Sequence, residues 1–291
     1  MSAADLHLGF VGLGALGLPM ACNLAKAGYP LQVHTRSRNA EGDPGLKGAK
    51  PCASPRATAD AVDVLLLCVS DDAAVVDVLF GPDGAADGLK PGSLVLDCST
   101  IAPATAQTCA KRLAQRNVGY LDAPVTGGTE GARAGTLTVL VGADPNHLKR
   151  VQPLLAVIGG CVHHFGEVGR GQQVKAVNQV LVAGSYAAVA EAMALGERLD
   201  LPMDQVVAAL KSGAAGSWAL EHRAPGMLSG RYPLGFKLSL HHKDLGIALA
   251  TAESVQLELP VSALVQTQEA DLIQKGYGND DVSALHRLGT I

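Results

Sequence analysis

The sequence predicts an α/β fold in which a doubly wound, mostly parallel sheet is followed by an all-helical domain. Up to about residue 165, short apolar segments alternate with helical ones, as in parallel sheets covered on both faces. After that point the strand signals stop. Residues 169–199 are free of proline, rich in Ala and apolar at three- and four-residue intervals, which predicts one long helix. The predicted domains are therefore residues 1–165 and residues 166–291, with the long interdomain helix beginning the second.

The composition indicates a compact protein with small-molecule partners. The 291 residues are 48% hydrophobic, 17% charged and 3% aromatic, with a formal net charge of −4. This length is comfortable for two domains. Domains that bind nucleic acid usually present a basic surface, which this charge balance does not predict.

No targeting, membrane or metal-binding segment is predicted. Residues 1–7 lack a positive region followed by an apolar run, and no uncharged stretch reaches the ~20 apolar residues of a membrane span. The six cysteines are scattered, and no pair stands two residues apart, so neither a metal site nor a disulfide framework is indicated. We therefore expect a cytoplasmic protein without a metal or a membrane partner.

A glycine-rich loop stands in the first β-α-β unit. Strands are predicted over residues 6–11 and 31–35, and the string GLGALG opens the helix between them. In a Rossmann-type fold the first glycine permits a tight turn, the second lets a pyrophosphate approach the backbone and the third lets helix and strand pack closely. The helix N-terminus then faces the phosphates. The predicted dinucleotide-binding residues here are Gly12, Leu13, Gly14, Ala15, Leu16 and Gly17.

The end of the second strand bears on the choice of cofactor. Where an Asp or Glu would hold the ribose 2′-hydroxyl of NAD, this chain has Arg36, Ser37 and Arg38. A guanidinium binds phosphate by paired hydrogen bonds, whereas a carboxylate would repel a 2′-phosphate. These residues therefore favour NADP(H) over NAD(H), the alternative being that both arginines are solvated loop residues.

Two further loops follow buried strands, where ligands bind in such sheets. Cys68, Val69 and Ser70 end the strand predicted at residues 62–69, and Thr100 follows the strand at 94–98. All four are candidates for cofactor contact. Ser99 or Thr100 could equally cap the following helix.

The string DAPVTGG contains a possible carboxylate-binding turn. Thr126, Gly127 and Gly128 end a predicted strand, and consecutive backbone N–H groups in such a turn form a concavity that suits an anion. Judged on spacing alone, an ordinary Gly-rich turn is the better interpretation. Further strands are predicted over residues 136–141 and 161–165, with a helix between them.

Polar residues on two helices complete the candidate site. Lys175, Asn178 and Gln179 stand at i, i+3 and i+4 near the start of the long helix, which places them on one helical face. We expect Lys175 near the junction of the domains, although most lysines are solvated. Lys243 could bind a nucleotide or substrate oxygen, or be a surface lysine. His241 and His242 lack partners at metal-ligand spacing.

Taken together, these motifs resemble the β-hydroxyacid dehydrogenase family, which includes 3-hydroxyisobutyrate dehydrogenase, tartronate semialdehyde reductase and glyoxylate/succinic semialdehyde reductase. The resemblance covers nearly the whole chain. It rests on GFVGLGALGLPMACNL, DAPVTGGTEGARAGTLTVLVG, GRGQQVKAVNQ, FKLSLHHKDLGIAL and GYGNDDVSALHRL. Three positions depart from the usual pattern, with Leu16 for Met, Thr126 for Ser and Gln179 for a second Asn.

The resemblance implies a Rossmann-type domain, a helical second domain, a homodimer or homotetramer, and a small carboxylate substrate. It also implies residue roles. Lys175 would be the general acid or base, and Asn178 would orient the substrate or the lysine. Thr126, Gly127 and Gly128 would grip the substrate carboxylate, with Gln179, Lys243 and Asp244 also at the substrate. Arg36 would lie at the adenosine ribose, and Thr100, Phe236 and Lys243 on the cofactor side.

The implied reaction is hydride transfer between NADP(H) and a small 3-hydroxy acid or its semialdehyde or 2-oxo acid counterpart. An ammonium beside the reacting oxygen stabilises developing negative charge and donates a proton, which suits Lys175. The alternatives are an imine reductase-like enzyme, in which the lysine is generally replaced, and a non-catalytic dinucleotide-binding module. The individual substrate is left open, because Gln179 changes the depth of the pocket.

Overall fold

The computed structural model describes residues 6–290, and the packing of the chain divides it into two compact units. The first unit ends at Lys175 and the second begins at Ala176. Residues 1–5, which belong to the segment assessed above for a signal sequence, lie outside the described residues.

The first unit holds nine strands. They are β1 (Leu8–Val11), β2 (Leu31–His34), β3 (Lys50–Pro51), β4 (Val64–Leu67), β5 (Leu94–Asp97), β6 (Gly119–Asp122), β7 (Val125–Thr126), β8 (Leu137–Val141) and β9 (Gly159–His164). Six of them form one parallel sheet in the order β3-β2-β1-β4-β5-β6. Strands β2 and β3 lie on one side of β1, and β4, β5 and β6 lie on the other. The predicted doubly wound sheet is therefore confirmed.

Six complete helices cover this unit. They are α1 (Gly17–Lys26), α2 (Pro55–Ala59), α3 (Asp72–Phe80), α4 (Pro103–Ala114), α5 (Gly128–Ala134) and α6 (Pro145–Ile158). The short elements β3, α2 and α5 have no counterpart in the predictions above.

Alternate residues of the central strands enter two separate apolar cores. In β4, Val64 and Leu66 pack in one cluster, whereas Leu65 and Leu67 pack in the other. Successive side chains of a strand point to opposite faces of the sheet, so both faces are covered. Burying a leucine contributes roughly 2 kcal/mol, which explains why β4 is apolar at every position.

Strands β7, β8 and β9 form a second, three-stranded sheet. Strand β7 runs antiparallel to β8, and β9 runs parallel to it. An isolated bridge between Asp122 and Gly142 joins the end of β6 to the residue after β8. The turn between β6 and β7 therefore leads the chain from the large sheet into the small one.

In the described part of the second unit, every element of regular secondary structure is helical. The α-helices are α7 (Arg170–Arg198), whose first turns belong to the first unit, α8 (Met203–Leu210), α9 (Trp218–Leu228), α10 (Leu238–Glu253), α11 (Pro260–Gln274) and α12 (Arg287–Thr290). Met193, Leu220, Leu245 and Leu272 pack in one apolar core. The prediction of an all-helical second part is confirmed.

Helix α7 has an unusually apolar composition. It is the one helix among residues 6–290 that is long and apolar enough to cross a membrane, and 44% of its most apolar window is buried inside the protein. Core helices of globular proteins meet the same criterion, so this test alone is weak evidence for a membrane span.

Candidate active site

The glycine loop has the geometry that a dinucleotide requires. Gly12 has φ +101°, and a Cβ there would overlap the carbonyl oxygen of Cys68. A Cβ on Gly17 would overlap the carbonyl oxygen of Gly12, so this glycine allows helix α1 to pack against the turn. Around Gly14 there is open space instead. Each glycine thus performs a different task, and only Gly14 leaves room for a ligand.

The start of helix α1 suits a phosphate. Its N-cap residue is Leu16, whose side chain makes no capping hydrogen bond, and no acidic residue stands in the first turn. The first N–H groups of a helix lack partners within the helix and carry a positive dipole end. Ala15 is exposed beside this terminus, whereas the side chain of Leu13 is buried in the core, so Leu13 can offer a ligand only its backbone. These residues fit a bound pyrophosphate.

The two arginines after β2 differ in their surroundings. Arg38 has φ +62°, donates to the carbonyl oxygen of Cys52 at 2.6 Å and forms a 2.9 Å ion pair with Glu41. Glu41 also accepts a hydrogen bond from the Thr35 N–H at 3.0 Å. Arg36 and Ser37 are exposed. Glu41 thus fixes the loop and pairs with Arg38, while both arginines stay exposed to solvent.

The ends of β4 and β5 are joined by Ser99. Its hydroxyl oxygen accepts a hydrogen bond from the Val69 N–H at 3.0 Å. Helix α4 has Ala102 at its N-cap, so neither Ser99 nor Thr100 occupies the capping position that was considered above. Cys68 is partly buried, and Ser70 is exposed with its hydroxyl donating to Asp71 at 2.7 Å.

Asp97 is a buried carboxyl beneath this edge of the sheet. One oxygen accepts from the Ser99 N–H at 2.9 Å and the other from the Tyr120 hydroxyl at 2.7 Å. Burial raises the pKa of Asp97 to about 6, although the hydrogen bonds from Ser99 and Tyr120 act in the opposite direction. Asp97 therefore supports the loop that carries Thr100.

Asp122 holds the beginning of helix α7. It is fully buried at the end of β6 and accepts hydrogen bonds from the Gly169 N–H at 2.7 Å and the Gln172 N–H at 2.8 Å. A carboxylate at a helix N-terminus satisfies N–H groups that have no partner within the helix. Burial raises the pKa of Asp122 to about 6, against the lowering effect of these backbone hydrogen bonds.

The first turns of α7 bring Lys175 to the predicted carboxylate-binding turn. Lys175 is 6% exposed, and its Nζ donates to the Val125 carbonyl oxygen at 2.9 Å. Thr126, Gly127 and Gly128 follow Val125 directly. Gly127 and Gly128 have φ values of +128° and +63°, which the turn requires and glycine tolerates. Thr126 is partly exposed. Because Lys175 contacts the residue before Thr126, the lysine and the turn are neighbours in the first unit.

Four other predicted residues form a chain of polar contacts in the second unit. Asn178 Nδ2 donates to Gln179 Oε1 at 2.7 Å, and Gln179 Nε2 donates to Asp244 Oδ2 at 2.6 Å. Lys243 Nζ lies 2.7 Å from the other Asp244 oxygen. Gln179 is 1% exposed, so both ends of its amide are used inside the protein. Its role as a substrate ligand stays a prediction.

Phe236 lies at a second carboxylate of this unit. Its N–H and that of Gly235 each donate to Asp281 Oδ2 at 2.9 Å. The Phe236 ring lies edge-on to His241, with centroids 5.5 Å apart. His241 Nδ1 is 2.6 Å from Glu269, and both side chains are fully buried. Within residues 6–290 there is no group of three or more His, Cys, Asp or Glu residues suited to a metal ion.

The sequence alone does not predict that Asp97, Asp122 and Gln172 support the loop of Thr100 and the start of α7. Asp122 begins the DAPVTGG string and Gln172 lies three residues before Lys175, so both stood within motifs that the sequence singled out. Apart from Ser99, which lies two residues from Asp97, their side-chain partners lie 23 to 73 residues away along the chain, and such pairings require the sheet topology.

Comparison with known proteins supports the class of enzyme. Residues 7–166 match the NAD binding domain of 6-phosphogluconate dehydrogenase, and residues 169–288 match the NAD-binding family of NADP-dependent 3-hydroxyisobutyrate dehydrogenase. The 2-hydroxy-3-oxopropionate reductase of Escherichia coli (strain K12) is 37% identical over 280 residues, covering 96% of each chain.

Two solved structures extend the likeness to the whole fold. A 3-hydroxyisobutyrate dehydrogenase (ygbJ) from Salmonella typhimurium is 34% identical with a TM-score of 0.89, covering 98% of this chain and 100% of that chain. Psf3 in complex with NADP+ and 2-OPP is 29% identical with a TM-score of 0.89, covering 97% of this chain and 99% of that one.

The Rossmann-type sheet, the glycine loop and these matches define an NAD(P)-dependent oxidoreductase acting on small hydroxy acids. The chain belongs to the β-hydroxyacid dehydrogenase family.

Proposed function

We propose that this enzyme uses NADP(H) to interconvert a small 3-hydroxy acid and its semialdehyde or 2-oxo acid counterpart, with Lys175 as the general acid and base. The observation that carries the proposal is the hydrogen bond from Lys175 Nζ to the Val125 carbonyl oxygen. This contact lies one residue before Thr126, Gly127 and Gly128, which are the proposed carboxylate-binding residues. A substrate held there by its carboxylate keeps its reacting oxygen near the lysine.

The residues divide the work of the reaction between them. A nicotinamide dinucleotide held at the glycine loop of Gly12, Gly14 and Gly17 would supply the hydride for the carbonyl carbon. Lys175 stabilises the negative charge that develops on the carbonyl oxygen and donates the proton that completes the alcohol. In the oxidative direction neutral Lys175 removes that proton. Asn178 orients the substrate. Lys243 contacts both the substrate and the cofactor, and Asp244 contacts the substrate.

Lys175→Ala tests this assignment, with Lys111→Ala as the control because Lys111 is an exposed lysine on α4. We expect Lys175→Ala to lose about 10²-fold or more in kcat, the typical contribution of a general acid. NADPH binding, followed by fluorescence, should be retained. Turnover of Lys175→Ala near that of wild type would contradict the lysine role.

The proposed NADP(H) preference rests on Arg36. Arg38 is held by Glu41, whereas Arg36 is exposed beside the loop at the end of β2. The NADP+ complex of Psf3 is consistent with this preference. Comparing kcat/KM for NADPH and NADH over a panel of small semialdehydes and hydroxy acids tests both the cofactor and the substrate class. A clear preference for NADH would contradict the proposal.

The domain roles and the assembly are part of the same proposal. Residues 1–165 would bind the cofactor, and residues 166–291 would serve substrate binding and oligomerisation. A homodimer or homotetramer is supported by exposed apolar side chains on α7, where Val177, Leu181 and Leu195 are each more than 60% exposed. Light scattering would measure the mass, and a monomer would contradict this part. The cytoplasmic location stays a prediction.

A further inference from the structure

Gln172 is a buried amide whose two polar ends are both used. It is 1% exposed and lies in the first turn of α7. Its Nε2 donates to the Ser99 carbonyl oxygen at 2.8 Å, and its Oε1 accepts from the Ile101 N–H at 3.2 Å. The amide therefore bridges the backbone on both sides of Thr100.

The same residue is anchored at its own backbone. The Gln172 N–H donates to Asp122 Oδ2, and the Ser99 hydroxyl accepts from the Val69 N–H. Asp122, Gln172 and Ser99 are each at most 2% exposed, so water does not compete for these hydrogen bonds. The loop of Thr100 and the start of α7 are thus joined by a dry network within the first unit.

We propose that Gln172 is a positioning residue that sets Thr100 relative to Lys175. Lys175 stands three residues further along α7, on the same helical face as Gln172. An amide of this length has the donor and the acceptor on two separate atoms, so it can donate to Ser99 and accept from Ile101 at the same time. A carboxylate would repel the Ser99 carbonyl oxygen, and an apolar side chain would leave both backbone groups buried without this partner. The inference rests on the proposed roles of Thr100 and Lys175.

Gln172→Met tests the bridge because it keeps the length of the side chain and removes both hydrogen bonds. Gln173→Met is the matched control, since Gln173 is the next residue of α7 and accepts from Arg170 at 2.9 Å. We expect Gln172→Met to speed hydrogen exchange of the Ile101 amide. We also expect kcat to fall about 10- to 100-fold, because a displacement of about 1 Å in an active site can reduce the rate by up to about that factor. Binding of 2′,5′-ADP, which lacks the nicotinamide, should be unchanged.

A double variant separates positioning from general support of the fold. If Gln172 acts through Thr100, then Gln172→Met should cost less kcat in a Thr100→Val background than in wild type. Gln172→Glu, which keeps the shape and the acceptor, serves as the second variant if Gln172→Met does not fold. Its Ile101 exchange should stay slow, while its kcat falls.

The outcomes distinguish this inference from the proposed function. Unchanged Ile101 exchange in Gln172→Met would overturn the bridge, and unchanged kcat with an active wild type would overturn the positioning role. Independent, multiplicative losses in the double variant would also overturn it. A wild type that neither binds NADPH nor reduces any semialdehyde would contradict the proposed function, while Ile101 exchange would still decide the bridge.

Discussion

Glu41 and Arg38 form a 2.9 Å ion pair at the end of β2, and the Glu41 side chain is only 6% exposed. The Glu41 carboxylate thereby balances the charge of one of the two arginines predicted to bind a 2′-phosphate. Arg36, two residues beyond the end of β2, is exposed and remains for that task.

Arg36→Ala should raise the KM for NADPH about 10- to 100-fold and leave the KM for NADH nearly unchanged. The reason is the loss of charge-assisted hydrogen bonds that only the 2′-phosphate makes. Arg38→Ala is the comparison variant, expected to affect both cofactors equally through the loop. Steady-state kinetics with both cofactors measures this, and an equal effect of Arg36→Ala on both would contradict the assignment.

Gly17→Ala and Gly14→Ala should separate folding from cofactor binding. A methyl group on Gly17 overlaps the Gly12 carbonyl oxygen, so we expect a loss of about 1–3 kcal/mol in the free energy of unfolding. A methyl group on Gly14 meets open space, so stability should change by less than about 0.5 kcal/mol. It would instead occupy the space for the pyrophosphate and weaken NADPH binding. Urea unfolding and fluorescence titration measure the two effects, and equal stabilities would contradict the packing role of Gly17.

Asp97 should make the protein less stable as the pH rises from about 4 to about 6. Burial raises its pKa from 3.8 to about 6, so in this window the folded protein keeps a proton that the unfolded chain has released. Stability then falls with rising pH, by up to about 3 kcal/mol for two units. Asp97→Asn should make that decline shallower in urea unfolding measured from pH 4 to 7, leaving the part due to Asp122, whose pKa burial also raises to about 6. Exposed Asp83→Asn is the control, and identical slopes for Asp97→Asn and wild type would contradict the prediction.

Gln179→Met should destabilise the second unit by about 1–3 kcal/mol, because it leaves a buried Asp244 oxygen without the amide donor. Gln205→Met, at an exposed position of α8, should change stability little. Urea unfolding of the two variants gives the comparison. A Gln179→Met protein as stable as wild type would mean that its hydrogen bond to Asp244 contributes nothing.

The large features of the fold were predictable because each depends on a local pattern. The apolar run of β4 predicts a buried parallel strand, and GLGALG predicts the turn into α1. The small elements carry little pattern: β3 has two residues, and α9 contains Pro225, which argues against a helix. Their formation depends on packing against elements distant in the chain.

Within the candidate site, residue types were predictable and partners were not. Lys175 was identified from its motif, but its contact with the Val125 carbonyl oxygen depends on where β7 begins. Arg36 and Arg38 look equivalent in the sequence, and only the fold of residues 39–42 brings Glu41 to Arg38. The bridge made by Gln172 spans 71 and 73 residues, so no local pattern announces it.

The partner of Lys175 at position 125 is a backbone oxygen, and every amino acid supplies that atom. Substitution of the Val125 side chain therefore leaves the acceptor in place as long as the replacement still fits the core. Position 125 can therefore change with the packing around it. Lys175 keeps its anchor whichever apolar side chain fits there.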